Sequence, residues 1–566
     1  MSARARHLVL LSSLLLAFSP AASRAGFVIV NLDGPGEGFN DPTPVAPVGG
    51  NPGTTIGQQR LNVFMKAGQI WDAILQSPIP IRVQASFDPL TPCNATSGVL
   101  GGASPNVIDS DFSGATFFGT WYNGAEANRL SGIDQDPADD DIGATFNSNV
   151  GTAGCLPTRS WYYGYDGNEG PNGLDLLPVL LHEFGHGLGF MTLTDDASGS
   201  VFGGQPSVWD RFLMDNVTGK HWYQMTDAER VASAINTGHL VWDGPSVNAA
   251  APHFLGKRAR VLTTGAITGD FTSGQGVFSP TLTVGGVTGQ VVLVNDGVAP
   301  VTDGCNTPFV NAAAISGKIA LMDINATCSN AQRAANAQAN GAIGVIMVNN
   351  VAGPEPQLRG ASPTVTIPVT ALSLTDGNAI KTALGSGTVT ATLSLDATKL
   401  AGTDNKPTNR MRLYDPNPDQ PGSSVSHWDV SAFPNLLMEP AINPDLSQSV
   451  DMTFYNFYDI GWFPQLAGVT GPATPAGLSF THGPNPTRDG GTMHFRLARS
   501  QRVELSLYDL AGRRVARLAD ERMDAGEHDV RWSRTDDRGH RVAAGIYRAR
   551  LRTGSEEKSL NVVLVD

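Results

Sequence analysis

Charged side chains are scarce in this chain: Asp, Glu, Lys and Arg make up 16% of its 566 residues, and the formal balance is −14. An acidic surface of this kind excludes nucleic acid as a partner, because phosphate binding needs a concentrated basic face. Long apolar runs are missing as well. Beyond the amino terminus no stretch reaches the roughly 18 uninterrupted apolar residues of a membrane span, so no transmembrane anchor is expected. Cysteine is nearly absent, with 4 residues and no Cys-x-x-Cys spacing, which excludes a zinc-thiolate cluster. There is also no fixed-period repeat, and hence no sign of a solenoid or propeller.

What the chain does hold is 64 Gly, 37 Pro and 41% hydrophobic residues, a composition for several turn-rich, largely β-built domains. Arg4 and Arg6, the apolar stretch Leu8 to Phe18 and the small-residue site Ser23-Arg24-Ala25 read as an export signal over residues 1–25. The mature protein is then expected to be secreted by bacterial-type export, extracellular or at the cell surface. Four cysteines in an exported chain suit two disulfides. Three pairings are formally open, and neighbourhood favours Cys93 with Cys155 and Cys305 with Cys328. Residues 475–566 carry 16 basic against 13 acidic side chains, so the negative excess lies upstream and the tail stands apart as a domain.

Along the chain, Leu61, Phe64, Met65, Ile70, Trp71, Ile74 and Leu75 recur at helical spacing and predict an amphipathic helix over 56–75, leading into a strand at Ile79 to Val83. Residues 104–150 read as short strands, such as Ala115 to Phe118, between turns. The acidic loop Asp134 to Asp141 lacks the ligand spacing of an EF-hand, so Ca2+ there is unsupported and a solvated turn is the plainer reading. A second helix is expected over Leu176 to Phe190, with Pro178 in its first turn. Gly-, Val- and Thr-rich strands follow from Asp243 to about Leu400, interrupted by one helix at Ser329 to Asn340.

The strongest chemical signal is His182-Glu183-Phe184-Gly185-His186. Side chains four apart share a helix face, so both imidazoles can hold one ion, while Glu183 is placed to act as general base on the attacking water. A catalytic zinc site needs a third protein ligand and one open position. The continuation through Gly189 follows the metzincin pattern, yet the position of that pattern's third His is Thr192, a poor ligand. Asp195, Asp196 and Asp210 stay open as carboxylate alternatives. Further on come Ser424-Val425-Ser426-His427-Trp428-Asp429 and Leu437-Met438-Glu439-Pro440. Asp451-Met452-Thr453 and Tyr458-Asp459-Ile460-Gly461-Trp462 follow them. Together these segments resemble the leishmanolysin-type metalloproteases. The resemblance implies His427 as third zinc ligand, Met438 as the residue of a tight Met-turn beneath the metal, and hydrolysis of internal peptide bonds with Glu183 as the base. One Zn2+ suits three imidazoles and an open position.

Residues near 290–395 resemble a protease-associated (PA) domain through Gly317-Lys318-Ile319-Ala320-Leu321-Met322-Asp323, Cys328, the Ala-rich helix, Gly341-Ala342-Ile343-Gly344-Val345, Ile367-Pro368-Val369 and Asp376-Gly377. The tail is similar to Ig-like carboxy-terminal modules of exported bacterial proteins, akin to the flagellar hook-cap Ig-like fold and to type IX sorting domains. The carrying residues there are Pro484-Asn485-Pro486, Tyr508 to Arg513, Gly526 to Trp532 and Gly545-Ile546-Tyr547. These likenesses imply contact with secretion machinery or the cell surface, and a plain spacer sandwich stays open as the alternative.

The expected fold class is therefore multidomain α+β. A metzincin-like zinc protease domain (26–250 and 401–470) is interrupted by an insert (251–400) holding a mixed α/β PA domain, and a β-sandwich (475–566) follows. Two functions stand against each other. One is a zinc endopeptidase acting on protein or peptide substrates; the other is a secreted adhesion or binding protein that keeps the scaffold without turnover.

Overall fold

The computed structural model describes residues 26–463 and 479–564, apart from short stretches inside each segment. The expected export signal lies outside them, as do Pro484 to Pro486 and residues 510–512. No helix among the described residues is long and apolar enough to cross a membrane.

Helix α1 (Ile56–Leu75) forms where the apolar spacing predicts it and buries Val63, Phe64, Ala67, Trp71 and Leu75 on one face. Trp71 is fully buried; its indole N–H donates to the Leu181 carbonyl at 3.2 Å, and its ring meets Phe457 edge-on. Truncating such a side chain costs about 3–5 kcal/mol, so Trp71 ties α1 to the helix that holds Leu181 and to the one that holds Phe457. Beside α1 lies a four-stranded sheet of β1 (Phe27–Asn31), β2 (Ile81–Asp88), β3 (Gly101–Pro105) and β4 (Ile142–Asn147). Its order is β1-β2-β4-β3, with β1, β2 and β4 parallel and β3 antiparallel at the edge.

Ala115 to Phe118 departs from the sequence reading: it forms bends, not a strand. The Phe117 N–H donates to the Tyr122 hydroxyl at 2.8 Å, and the Arg211 guanidinium lies 5.1 Å from the Phe117 ring centroid. Side-chain contacts have overridden β-propensity here. Helix α2 (Gly124–Ser131) follows unannounced, with Asn123 accepting the Glu126 N–H at its start and Gly132 left-handed at its end.

Helix α3 (Leu176–Gly187) starts on Asp175, whose side chain accepts the Leu177 N–H. It stops three residues before Phe190, because Gly189 takes a φ of +108°, which turns the chain out of the helix. Gly187 serves packing: a Cβ there would lie 2.5 Å from Cγ2 of Ile142 on β4.

The chain enters and leaves the insert at one point, since Lys257–Gly265 pairs antiparallel with Val389–Leu400 and Lys257 faces Leu400. The preceding helix Pro245–Phe254 packs with the first core, and Asp459 receives the N–H groups of Ser246 and Val247 at its start. The insert boundary therefore falls nearer residue 256 than 250. Inside, an eight-stranded sheet has the parallel centre Val287–Leu293, Ile319–Asp323, Gly344–Val348 and Val369–Leu372. Asn330–Ala339 covers one face through Ala334 and Ala337, and Leu374–Leu384 the other through Ile380 and Ala383. This second helix lies outside the sequence reading, which places one helix in the insert and takes Asp376-Gly377 only for its PA likeness; Gly377 is helical, and a Cβ on it would meet Val348 at 2.2 Å.

Residues 479–564 form a three-stranded and a four-stranded sheet that share one core, including Phe495, Leu505, Trp532 and Leu551. Both disulfides are present, Cys93–Cys155 and Cys305–Cys328, and no free cysteine remains.

Candidate metal centre

Helix α3 carries His182 and His186 one turn apart on one face, and the buried segment around His427 crosses that face. The three Nε2 atoms approach one another closely: 3.1 Å between His182 and His186, 3.1 Å between His186 and His427, and 3.3 Å between His427 and His182. Among the described residues these are the one group of three or more His, Cys, Asp or Glu side chains with donor atoms placed to share an ion.

Each ring is held from behind by a main-chain carbonyl. Nδ1 of His182 donates to Leu437 O at 2.7 Å, that of His186 to Phe190 O at 2.8 Å, and that of His427 to Ser423 O at 2.7 Å. A carbonyl only accepts, so each Nδ1 carries the proton and each Nε2 turns a lone pair inward. Burial pushes the imidazoles down, His182 to about 4 and His186 to about 3, with His427 also far below the usual range; the neighbouring rings add to the effect for His186 and His427. Three neutral rings aiming lone pairs at one point repel unless a cation sits among them. Four-coordinate zinc with bonds of 2.0–2.1 Å to nitrogen sets its ligand atoms about 3.3–3.4 Å apart, close to the spacing found. The residues present fit the metal.

Glu183, partly buried beside His182, faces the edge strand β3, with the Ala103 N–H beside its carboxylate. Loss of water around it raises its carboxyl to about 7, with the Ala103 N–H pulling the other way. Ala103 sits at a position of β3 whose main-chain groups point away from β4, toward the free edge.

Met438 is fully buried, and its sulfur lies against Gly185 between the two helix histidines. It stands in a turn closed by the Glu439 N–H on Leu436 O at 3.2 Å, and the Trp428 N–H donates to Met438 O at 2.8 Å. Trp428 is a packing residue, edge-on to Phe190 with centroids 5.0 Å apart.

The carboxylate alternatives are occupied elsewhere or remote. Asp210 accepts the hydroxyls of Thr192 at 2.6 Å and Thr194 at 2.8 Å, plus the Ser207 N–H at 2.8 Å. Thr192 thus faces Asp210, and its own N–H donates to Ser426 Oγ at 3.2 Å, next to His427. Asp195 is exposed and takes the Ser198 N–H, and neither Asp195 nor Asp196 joins the histidines. Asp451 enters the sequence reading only within the family likeness of Asp451-Met452-Thr453; that reading misses its contact, a carboxylate accepting the Leu437 N–H at 2.5 Å, and the place of Ala103 beside Glu183. Nothing in the local pattern marks either contact.

Similarity to solved structures is narrow. A zinc aminopeptidase from Bacillus subtilis is 22% identical over 27% of this chain and 37% of its own, with a TM-score of 0.19. An aminopeptidase from Aneurinibacillus sp. strain AM-1 is 18% identical over 33% of this chain and 41% of its own, with a TM-score of 0.18. PorZ, a surface component of the type IX secretion system of Porphyromonas gingivalis, is 22% identical over 15% of this chain and 11% of its own, with a TM-score of 0.12. The chain thus spans well under two thirds of each. No curated protein matches it. Residues 287–380 match the PA domain family, and the α/β layer inserted between His186 and His427 is a PA domain.

Proposed function

We propose that this protein is a zinc-dependent endopeptidase of leishmanolysin-like, metzincin type. The observation that carries the reading is the set of three inward-facing Nε2 atoms, each locked by a carbonyl on its Nδ1, beside the partly buried carboxylate of Glu183. His182, His186 and His427 would hold the metal. When bound, zinc supplies Lewis-acid polarisation of the scissile carbonyl and lowers the pKa of the attacking water. Glu183 takes the water's proton on a carboxylate oxygen and returns it to the leaving nitrogen. The free edge of β3 offers main-chain partners to an extended peptide, which fits a substrate bound along its length rather than by its end.

Around this centre, the PA domain is read as a neighbour of the cleft that shapes access. The two-sheet tail is read as an Ig-like β-sandwich for sorting or surface contact. The paired cysteines accord with an exported protein. The deciding experiment is casein cleavage by wild type and Glu183→Gln with zinc quantified in both. The expected outcome is one zinc per chain in each, and a variant at least 100-fold slower. A zinc-loaded wild type no faster than the variant would leave the adhesion or binding reading in its place.

A further inference from the structure

Met438 and Leu437 sit in a turn whose backbone is braced by two carboxylates, one buried on Glu439 and one partly buried on Asp451. Glu439 Oε1 accepts the Leu436 N–H at 2.9 Å, and Asp451 Oδ2 accepts the next one, from Leu437, at 2.5 Å. The carbonyl of that same Leu437 receives the Nδ1 proton of His182 at 2.7 Å. Asp451 divides its oxygens: Oδ1 takes the N–H of Thr453 at 3.1 Å and its hydroxyl at 3.0 Å, at the start of the helix Thr453–Ile460, while Oδ2 serves Leu437.

We infer that Asp451 is a positioning residue of the metal centre, acting through Leu437 on the ring of His182. The inference rests on the zinc reading above. A hydrogen bond to a carbonyl orients an imidazole only as well as the carbonyl itself is held, and Leu437 is held from its N–H side by one carboxylate oxygen. Without that oxygen the turn keeps its Glu439 brace, but Leu437 can swing, and the His182 lone pair leaves the point it shares with His186 and His427. Thr453, by contrast, touches Asp451 only through Oδ1, so its hydroxyl belongs to the helix start and not to the metal.

The test compares wild type, Asp451→Ala and Thr453→Val as full chains. Zinc content is measured, then the rate of zinc loss to excess chelator, then melting of the metal-free chains. The expected result is zinc loss about 10–100-fold faster from Asp451→Ala, the usual effect of removing a partner behind a metal ligand, and wild-type loss from Thr453→Val. Should the alanine chain not fold, Asp451→Ser withdraws the oxygen that reaches Leu437 while leaving a hydroxyl able to accept the Thr453 N–H, and at least about threefold faster loss is expected. Zinc loss within twofold of wild type in the folded Asp451 variant overturns the inference and leaves Asp451 as a helix cap alone. A wild-type chain that takes up no stoichiometric zinc sinks the zinc reading itself, a different outcome from a loaded wild type indifferent to Asp451.

Discussion

A Cβ placed on Gly185 would lie 2.8 Å from Sδ and 3.1 Å from Cε of Met438, so the helix carrying two of the histidines and the turn anchoring His182 meet without clearance. Gly185→Ala gains about 1 kcal/mol of helix preference but must push Met438 aside, and overpacking of a tight core costs about 1–3 kcal/mol. The expected outcome is a lower melting temperature together with lower zinc content. A fully zinc-loaded variant of wild-type stability would show that the Met438 seat is loose.

The third imidazole is testable by displacement. His427→Ala is expected to lower zinc occupancy sharply while the tail, with its own core, stays folded. Adding Thr192→His, which supplies a histidine where the metzincin pattern has one, is expected not to restore zinc, because the Thr192 side chain faces Asp210. Zinc recovered by the double variant, read by elemental analysis, would refute that geometry.

The two disulfides close loops of different size, with sequence separations of 62 and 23 residues. Chain entropy assigns about 4 kcal/mol to the longer and about 3 kcal/mol to the shorter. Cys93→Ser with Cys155→Ser is therefore expected to lower stability more than the Cys305 and Cys328 pair does. Denaturant melts of the two double variants decide the order, and peptide mapping without reductant checks the pairing.

The acidic loop gives a pH dependence with a defined sign. Burial, joined by the carboxylates of Asp136, Asp134 and Asp141, raises Asp109 to about 6, and burial likewise raises Asp141 to about 6. Their unfolded values lie near 3.9, so the folded chain keeps protons that the unfolded chain releases between about pH 4 and 6. Stability from these groups falls as pH rises through that window and is level above it. Asp109→Asn is expected to melt about 1–3 °C above wild type at pH 7, with the difference shrinking toward pH 4. An equal difference at both pH values would remove the electrostatic explanation.

Much of the site was legible in the chain because its signals are local. The i, i+4 spacing of His182 and His186 puts two imidazoles on one face of any helix, and Glu183 comes with them. The apolar period of 56–75 likewise announced α1 to its end residues, and the PA domain announced itself through short Gly- and Ala-rich segments. Where side-chain contacts beat propensity, as at Phe117, the reading went astray.

By itself, then, the sequence determined the helix pair of imidazoles, their adjacent carboxylate and the kind of insert that follows, since neighbours along a chain keep nearly fixed distances in a helix. A family likeness pointed to His427, but tertiary structure brings it, 241 residues beyond His186, to their point, and tertiary structure alone decided that Leu437, Phe190 and Ser423 set the tautomers and that Asp451 stands behind Leu437. Those relations depend on how separate elements pack, with the insert's ends drawn together by the pairing of Lys257 with Leu400, and no local pattern encodes that packing.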